Sequence, residues 1–119
     1  AMAASGPTEV GDVKVAKATG ADARTVAEVW AQRTALNTKG VTIRGKVVKF
    51  NPGIMGKNWV HLRDGSGTAD KKDNDITITT ADTVAVGDVV TAKGKVLVDK
   101  DFGAGYAYPV IVEDAKVAK

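Results

Sequence analysis

The sequence predicts an all-β domain, a small closed barrel of five strands preceded by an arm and one α-helix. Residues 41–50 and 58–64 read as strands on either side of a glycine-containing connection, and residues 75–80 alternate polar and apolar side chains at period two. Two further strand-like segments follow at 86–98 and 108–114. Five strands with turn residues between them, on about 75 residues, fit a small closed barrel better than a sandwich.

The length and composition predict one domain. With 119 residues, the chain is predicted to form a disordered leader at 1–11 and a single domain at 12–119, in which an N-terminal strand and helix (12–39) precede the barrel (40–119). Hydrophobic residues make up 44% of the chain, and no apolar run approaches the ~20 residues that span a bilayer. Cysteine is absent, which excludes a disulfide framework and a thiolate metal site.

The charges are segregated along the chain, although the net charge is only +3. No acidic residue lies between Glu28 and Asp64, a segment that holds seven basic residues. From Asp64 to Asp101 the balance reverses, with eight aspartates against five lysines. Segregated charge of this kind attracts anionic partners. The alternative is that these charges only form a solvated surface.

The N-terminal part of the domain is predicted to be an arm followed by a helix. Residues 13–15 alternate in a way that indicates a short strand or an extended arm. Thr25 and Glu28 match a capping box, which predicts a helix over 25–37. Its apolar stripe includes Trp30, which we interpret as the anchor that packs the helix onto the barrel.

The first strand contains Gly45, and a glycine inside a strand usually marks a bulge or a bend. A long first strand that serves both halves of a small barrel needs such a bend. Residues 51–57 are predicted to be the loop to the second strand. Alternation along that strand places Val60 and Leu62 in the core. The opposite, outer face then carries Trp59, His61 and Arg63.

The segment Trp59-Val-His-Leu-Arg-Asp64, with the glycine turn after it, resembles the second strand of anticodon-binding (tRNA-anti-like) and related nucleic-acid-binding OB domains. A wider similarity is to small exported bacterial OB-fold proteins (NrfJ-like). It is carried by Thr25-Val-Ala-Glu-Val, Gly45-Lys-Val-Val-Lys, Ile54-Met-Gly-Lys-Asn-Trp-Val-His-Leu, Val86-Gly-Asp-Val-Val and Lys100-Asp-Phe-Gly-Ala-Gly-Tyr. The resemblance implies an OB-fold barrel, an exported or periplasmic location, and base stacking by the aromatic residue at Trp59.

Together these features predict a non-enzymatic OB-fold module that binds single-stranded nucleic acid or another anionic oligomer. Aromatic rings stack on bases while a basic groove follows the phosphates. In an OB barrel the first and last hairpin loops border one groove, so most of the aromatic residues are expected on one side of the molecule. The candidate binding residues are Trp59, His61, Arg63, Lys46, Lys49, Lys57, Phe50, Phe102, Tyr106 and Tyr108. The alternative is that the loop aromatics only cap the barrel end.

A competing hypothesis is an exported accessory or carrier protein that binds copper or a partner protein of a respiratory system. Met55 and His61 offer a thioether and an imidazole, which are soft ligands suited to monovalent copper. The indole of Trp59 adds a cation–π surface beside them. A third hypothesis is a structural barrel that dimerises through its free face.

Catalysis is not predicted. The chain has no cysteine, its serines are Ser5 and Ser66, and the strand that carries His61 holds no acid before its last residue, Asp64. Asp70, Asp73 and Asp75 lack the glycine and the terminal glutamate of a calcium loop, so we interpret them as a polar hairpin loop. No cofactor is predicted.

Overall fold

The computed structural model describes residues 13–103 and 105–119, so the leader predicted at 1–11 lies outside the described residues. Among the described residues, no helix is long and apolar enough to cross a membrane. The elements in chain order are α1 (Val26–Ala31), α2 (Arg33–Leu36), β1 (Gly40–Ile54), β2 (Lys57–Arg63), β3 (Ile76–Thr80), β4 (Val89–Asp101) and β5 (Ala107–Ala118).

The five strands form one closed barrel in the order β1-β2-β3-β5-β4, which confirms the predicted all-β barrel. β1 closes the ring because it pairs with β4 along residues 40–46 and with β2 along residues 46–54. All pairs among the described strands are antiparallel except β3 with β5, which is parallel. The long first strand therefore serves both halves of the barrel, as predicted.

Gly45 lies where β1 passes from one partner strand to the other, but it is not the bulge that the sequence predicts. The register shift in the β1–β2 pair falls between Val47 and Lys49. A Cβ atom on Gly45 would lie 3.1 Å from the carbonyl oxygen of Arg63 and 3.3 Å from the Cβ of Leu62. Glycine is therefore needed here because β2 approaches closely, and the bend itself forms a few residues later.

The connection between β1 and β2 is a tight hairpin and not the loop predicted at 51–57. β1 continues to Ile54, and β2 begins at Lys57. The two residues between them, Met55 and Gly56, have φ of 53° and 75°. Positive φ at both central residues is the signature of the type I′ turn, whose twist matches that of the flanking strands. Strand pairing thus extends further than the residue types predict.

The barrel interior is filled mainly by β-branched side chains. Val60 and Leu62 are fully buried, as predicted for the inner face of β2. One end of the barrel is closed by apolar residues of the helices, and Phe50 packs against the core from β1. The fully buried large residues are Ile43, Leu62, Ile76, Ile78, Ile111, Val26, Val29, Val41, Val47, Val60, Val90 and Val96.

The predicted single helix is wrong in length, because two short helices meet at Gln32. Gln32 has φ −103° and ψ 12°, outside the helical range, and the guanidinium of Arg33 donates to the carbonyl of Trp30 at 2.7 Å. The side chain of Arg33 thereby supplies a donor to a carbonyl beside the break. Trp30 packs against the core, and its indole N–H donates to the carbonyl of Asp75 at 2.8 Å, so it anchors the helix as predicted.

The start of α1 is capped from three directions. Thr25 and Glu28 form the predicted capping box. The backbone N–H of Val26 donates to the carboxylate of Asp64 at 2.9 Å, and the N–H of Ala27 donates to the hydroxyl of Ser66 at 2.9 Å. The pKa of Glu28 is lowered, first by the N–H of Thr25 and then by Lys17, whose ammonium lies 2.9 Å away. The first N–H groups of α1 therefore all have acceptors.

Residues 13–19 form an arm without strand structure, so of the two predicted alternatives, a short strand or an arm, the described residues show the arm. A turn at 20–22 follows, and Ala23 forms a single parallel bridge with Thr42. The arm is fastened to the end of β2, where the N–H of Val15 donates to the carbonyl of Asp64 at 3.1 Å. Gly65 has φ of 92°, and a Cβ atom there would overlap the carbonyl oxygen of Val13. The glycine turn after β2 thus leaves room for the arm.

The parallel β3–β5 seam is reinforced by threonine side chains. The hydroxyl of Thr79 accepts from the N–H of Asp114 at 3.1 Å, and the hydroxyl of Thr80 donates to the carbonyl of Ala115 at 2.7 Å. Both threonines are buried. Because the register shifts along this short seam, the side chains supply pairing that the backbone ladder does not.

We predict that Asp64→Ala destabilises the domain by about 2–3 kcal/mol, because it leaves the N–H groups of Val26 and Ser66 without their charged acceptor. Urea unfolding followed by circular dichroism measures the loss. Asp70→Ala, in the exposed part of the β2–β3 loop, is the matched control. Equal midpoints for the two variants would refute the role assigned to Asp64.

Candidate functional site

Four aromatic residues from β2 and the β4–β5 hairpin meet on the outside of the barrel. Trp59 lies at the centre of this aromatic cluster, with the ring centroids of Phe102, Tyr106 and Tyr108 at 5.1, 5.6 and 5.8 Å. Phe102 and Tyr106 meet Trp59 edge to face, whereas Tyr108 stacks on it at 25°. These are the separations at which aromatic pairs attract beyond their buried area. The structure therefore brings together four of the predicted binding residues.

The β4–β5 hairpin is built to deliver its aromatic residues to this place. The strands pair as far as Asp101 and Ala107, so the connection between the segments predicted at 86–98 and 108–114 is reduced to a short tip. The N–H of Phe102 donates to the carbonyl of Tyr106 at 2.8 Å, and the N–H of Tyr106 donates to the carbonyl of Gly103 at 2.9 Å. The backbone thus fixes the direction of the rings.

Trp59 projects outward, as its position in β2 predicts, but it is not exposed. Only 2% of the residue is accessible, because the hairpin aromatics cover it. Its indole N–H donates to the carbonyl of Ile54 at 2.8 Å, which ties it to the β1–β2 hairpin. Phe102, Tyr106 and Tyr108 remain partly exposed. The surface open to a ligand is therefore made by these three rings, and Trp59 supports them from beneath.

Two lysine ammonium groups flank the cluster. The Nζ atoms of Lys57 and Lys100 each lie 5.2 Å from the ring centroid of Phe102, within cation–π range. Lys57 also forms an ion pair with Glu113, whose side chain is 7% exposed. The charge of Lys57 is therefore largely offset. Lys100 has no ion-pair partner among residues 13–103 and 105–119.

The ionisation of Tyr108 reports how closely the rings pack. Its pKa is raised above 10.0, first because burial disfavours the tyrosinate and second because Tyr106 lies nearby. The hydroxyl therefore stays protonated at neutral pH. A neutral phenol adds no negative charge to a surface where Asp99 and Asp101 already lie beside Lys100.

The remaining outer-face residues of β2 form a separate polar group. The Nδ1 atom of His61 lies 2.8 Å from one carboxylate oxygen of Asp75, and the Nε atom of Arg63 donates to the other at 3.1 Å. Both side chains are about a quarter exposed. Because Asp75 offsets the charge of Arg63, this residue contributes less positive potential than the sequence alone predicts.

The other predicted site residues are spread around the barrel. Lys49 is exposed and lies opposite His61 in the β1–β2 ladder. Lys46 lies opposite Arg63 in the same ladder and opposite Val89 in the β1–β4 ladder. Phe50 belongs to the core-facing side of β1, packs against the core, and is absent from the aromatic cluster. The sequence predicts Phe50 at the groove because this residue ends the predicted strand. The register shift after Val47 changes the face that it occupies.

The structure does not bring the two predicted copper ligands together. Met55 occupies the tip of the β1–β2 hairpin, whereas His61 lies four residues beyond the start of β2, about 13 Å along the strand. The Nδ1 atom of His61 is already engaged by Asp75. Within the described residues, no group of three or more histidine, cysteine or acidic side chains is placed to hold a metal ion.

The helices lie at the other end of β2 from the aromatic cluster. Their polar contacts reach Asp64, Ser66 and Asp75 around the β2–β3 loop. Trp59, by contrast, lies near the β1–β2 hairpin. The cluster is therefore covered by the β4–β5 hairpin and not by the N-terminal helices.

Two residues near the cluster are not among the predicted site residues. Lys100 alternates with Phe102 along a hairpin strand, which indicates a shared face. Glu113 directly follows the apolar run Val110-Ile-Val112, and a carboxylate at the end of such a run indicates a buried ion pair. Its partner, Lys57, comes from a strand more than fifty residues away, and no local pattern identifies it.

Comparisons of the chain with protein-family models, curated proteins and solved structures give no match.

We predict that the domain loses stability at alkaline pH through Tyr108. Its folded pKa is raised, so the stabilisation is complete below the unfolded pKa of about 10 and is lost as the pH rises through the folded value. Unfolding midpoints measured from neutral pH upward give the profile, and ultraviolet titration of the tyrosinate gives the pKa. Tyr108→Phe should flatten the alkaline fall, whereas an unchanged fall in that variant would contradict the assignment.

Proposed function

We propose that the chain is a non-enzymatic OB-fold module that binds single-stranded nucleic acid or another anionic oligomer. The observation that carries the proposal is the aromatic cluster, whose partly exposed rings lie beside lysine ammonium groups. The strand order and the first strand shared between two partners support the OB-fold assignment. An exported location is predicted from the resemblance and stays a prediction.

The chemistry of the exposed rings suits bases. Each nucleobase has a π-face, and stacking on an aromatic side chain contributes about 1–3 kcal/mol per base with little preference for sequence. Phe102, Tyr106 and Tyr108 lie on one hairpin and are held in place by their contacts with Trp59. Such preorganisation lowers the entropy lost on binding. The direct stacking role passes from Trp59 to these three residues.

Two lysines near the cluster suit phosphates, although Asp99 and Asp101 lie on either side of Lys100. Lys100 lies against Phe102 and has no ion pair among the described residues, and Lys49 is exposed on β1. Phosphate contacts of this kind release counterions, so the affinity for a single strand falls as salt increases. Lys57 holds the buried Glu113 and has less charge to offer.

The described residues favour binding over catalysis. The hydroxyl of Ser66 donates to Asp64 and accepts from the N–H of Ala27, which commits it to the helix cap. His61 and Arg63 both pair with Asp75, and among the described residues no hydroxyl nucleophile is a hydrogen-bond partner of this group. These commitments support the non-enzymatic role that we propose.

The test is the binding of a fluorescent oligothymidylate, measured by anisotropy at several salt concentrations. Tyr106→Leu should weaken binding about tenfold because it removes a stacking ring. Lys100→Gln should weaken binding and should reduce the magnitude of the salt slope by about 0.7. Trp59→Ala is a poor test, since removing a buried tryptophan costs about 3–5 kcal/mol of stability.

A matched control and a reporter complete the design. Lys39→Gln removes an exposed lysine that follows α2, far along β1 from the cluster, and should leave the affinity and its salt slope unchanged. In a Trp30→Phe background the emission comes from Trp59 alone, so a ligand on the cluster should change it. Salt-independent association, or equal affinities for Tyr106→Leu and the parent, would overturn the proposal.

A further inference from the structure

A second basic surface lies on the opposite stretch of β1, where the arm crosses the β1–β4 sheet. We call it the arm groove; it is bounded by residues 16–19 on one side and by Thr42, Arg44, Thr91 and Lys93 on the other. Its volume is about 570 Å³, within the range of small-molecule sites. Arg44 is seven residues before the β1 partner of Trp59, about 20 Å along the strand. The arm groove is therefore distinct from the aromatic cluster.

The floor of the groove contains an unsatisfied hydroxyl. Thr42 is 3% exposed, and its Oγ1 is the buried side-chain atom without a hydrogen-bond partner within the described residues. Alternation along β1 places Thr42 on the outer face with Arg44, between the core residues Val41 and Ile43. A buried hydroxyl without a partner costs about 1–3 kcal/mol. Because Oγ1 has less than 1 Å² of accessible surface, a ligand reaches it only when the groove wall shifts, and its hydrogen bond then removes this cost.

The groove also collects positive charge that the barrel does not neutralise. Lys93 lies directly opposite Thr42 on one side and opposite Lys116 on the other, and like charges at facing positions repel. Arg44 and Lys93 take part in no ion pair within the described part of the chain. One Nη atom of Arg44 donates to the carbonyl of Ala16 at 3.3 Å, which fixes the guanidinium beside the arm.

The acid at the margin of the groove is already occupied. The carboxylate of Glu28 accepts from the ammonium of Lys17 at 2.9 Å and from the N–H of Thr25. The charge of Lys17 is therefore largely offset by Glu28. For the same reason, Glu28 repels an incoming anion less than an unpaired carboxylate would. Within the described residues, the cations without an ion pair here are Arg44, Lys93 and the neighbouring Lys116, and the other nearby acid is Asp22, whose carbonyl accepts from the N–H of Thr42.

We propose that the arm groove binds a phosphate group. Arg44 and Lys93 supply charged donors, and the hydroxyl of Thr42 supplies the buried hydrogen bond that the fold leaves open. Arginine suits the planar, paired recognition of phosphate oxygens, and lysine acts as a point charge. The phosphate belongs either to a small phosphorylated molecule or to a nucleic-acid strand. The proposal does not rest on the aromatic cluster or on the function proposed for it.

The test uses pyrophosphate as the probe and the whole chain labelled with ¹⁵N. Titration should shift the amide signals of residues 16–19, 42–44 and 91–93 and should leave those of the β2–β3 loop in place. Arg44→Gln and Lys93→Gln should each weaken pyrophosphate binding about tenfold, because each removes a charge-assisted hydrogen bond. Lys71→Gln, an exposed lysine of the β2–β3 loop, is the control and should bind as the parent does.

Thr42→Val separates binding from folding. It removes the unpartnered hydroxyl, so the thermal midpoint should stay the same or rise while pyrophosphate binding weakens several-fold. A lower midpoint with unchanged binding would overturn the role of Thr42. Shifts spread evenly over all lysines, with equal affinity in Lys93→Gln and Lys71→Gln, would overturn the site.

The source of the phosphate is resolved by competition. If added oligothymidylate reverses the shifts that pyrophosphate causes in the groove amides, the phosphate comes from a nucleic-acid strand. If it does not, the ligand is a small phosphorylated molecule. Either result supports a phosphate site. Loss of oligothymidylate binding in Tyr106→Leu with retained pyrophosphate binding would show that the two surfaces act independently.

Discussion

The N-terminal half of the fold depends on the hydrogen bonds that Asp64 accepts. Its carboxylate accepts from the first N–H of α1 and from both the backbone N–H and the hydroxyl of Ser66. Its backbone carbonyl accepts from the N–H of Val15 and so holds the arm. A helix of six residues is unstable in isolation, because nucleation costs more than so few hydrogen bonds return. The helix α1 is therefore stabilised by the capping from Asp64 and Ser66 and by the packing of Trp30. In turn, α1 closes one end of the core.

The hydrogen bonds of Asp64 also determine where the arm groove and the aromatic cluster form. Because the arm is fastened at Asp64 and crosses β1 on the way to α1, it forms one wall of the arm groove. Because the helices are held at the β2–β3 end, the far end of β2 is left for the two hairpins. The aromatic cluster can then assemble from β2 and the β4–β5 tip without interference from the helices. The buried carboxylate of Asp64 thus keeps the helices at one end of the barrel, and the aromatic cluster forms at the other end.

The sequence predicts the fold well and the site only in part. Period-two alternation identifies β2 and its two faces, and the capping box identifies the start of α1. Strand ends were misplaced at Asn51–Gly53 and at Asp99–Asp101, since hairpin pairing carries strands through residues of low β-propensity. The position of Phe50 was wrong because a register shift reverses every later face, and that shift has no local sequence signal. Likewise, the pairing of Arg63 with Asp75 depends on a loop whose return path is set by tertiary contacts.

The burial of Trp59 changes what an aromatic residue on the outer face of a strand contributes. An exposed tryptophan offers its own face to solvent, whereas Trp59 is almost fully covered and holds the rings of Phe102, Tyr106 and Tyr108 at fixed angles. Its indole N–H is bound to Ile54, so Trp59 also links the β1–β2 hairpin to the β4–β5 hairpin. Because both hairpins meet at one residue, a ligand that moves one of them must disturb the contacts of the other. Trp59 is thus better placed to couple the two hairpins than to bind a ligand alone.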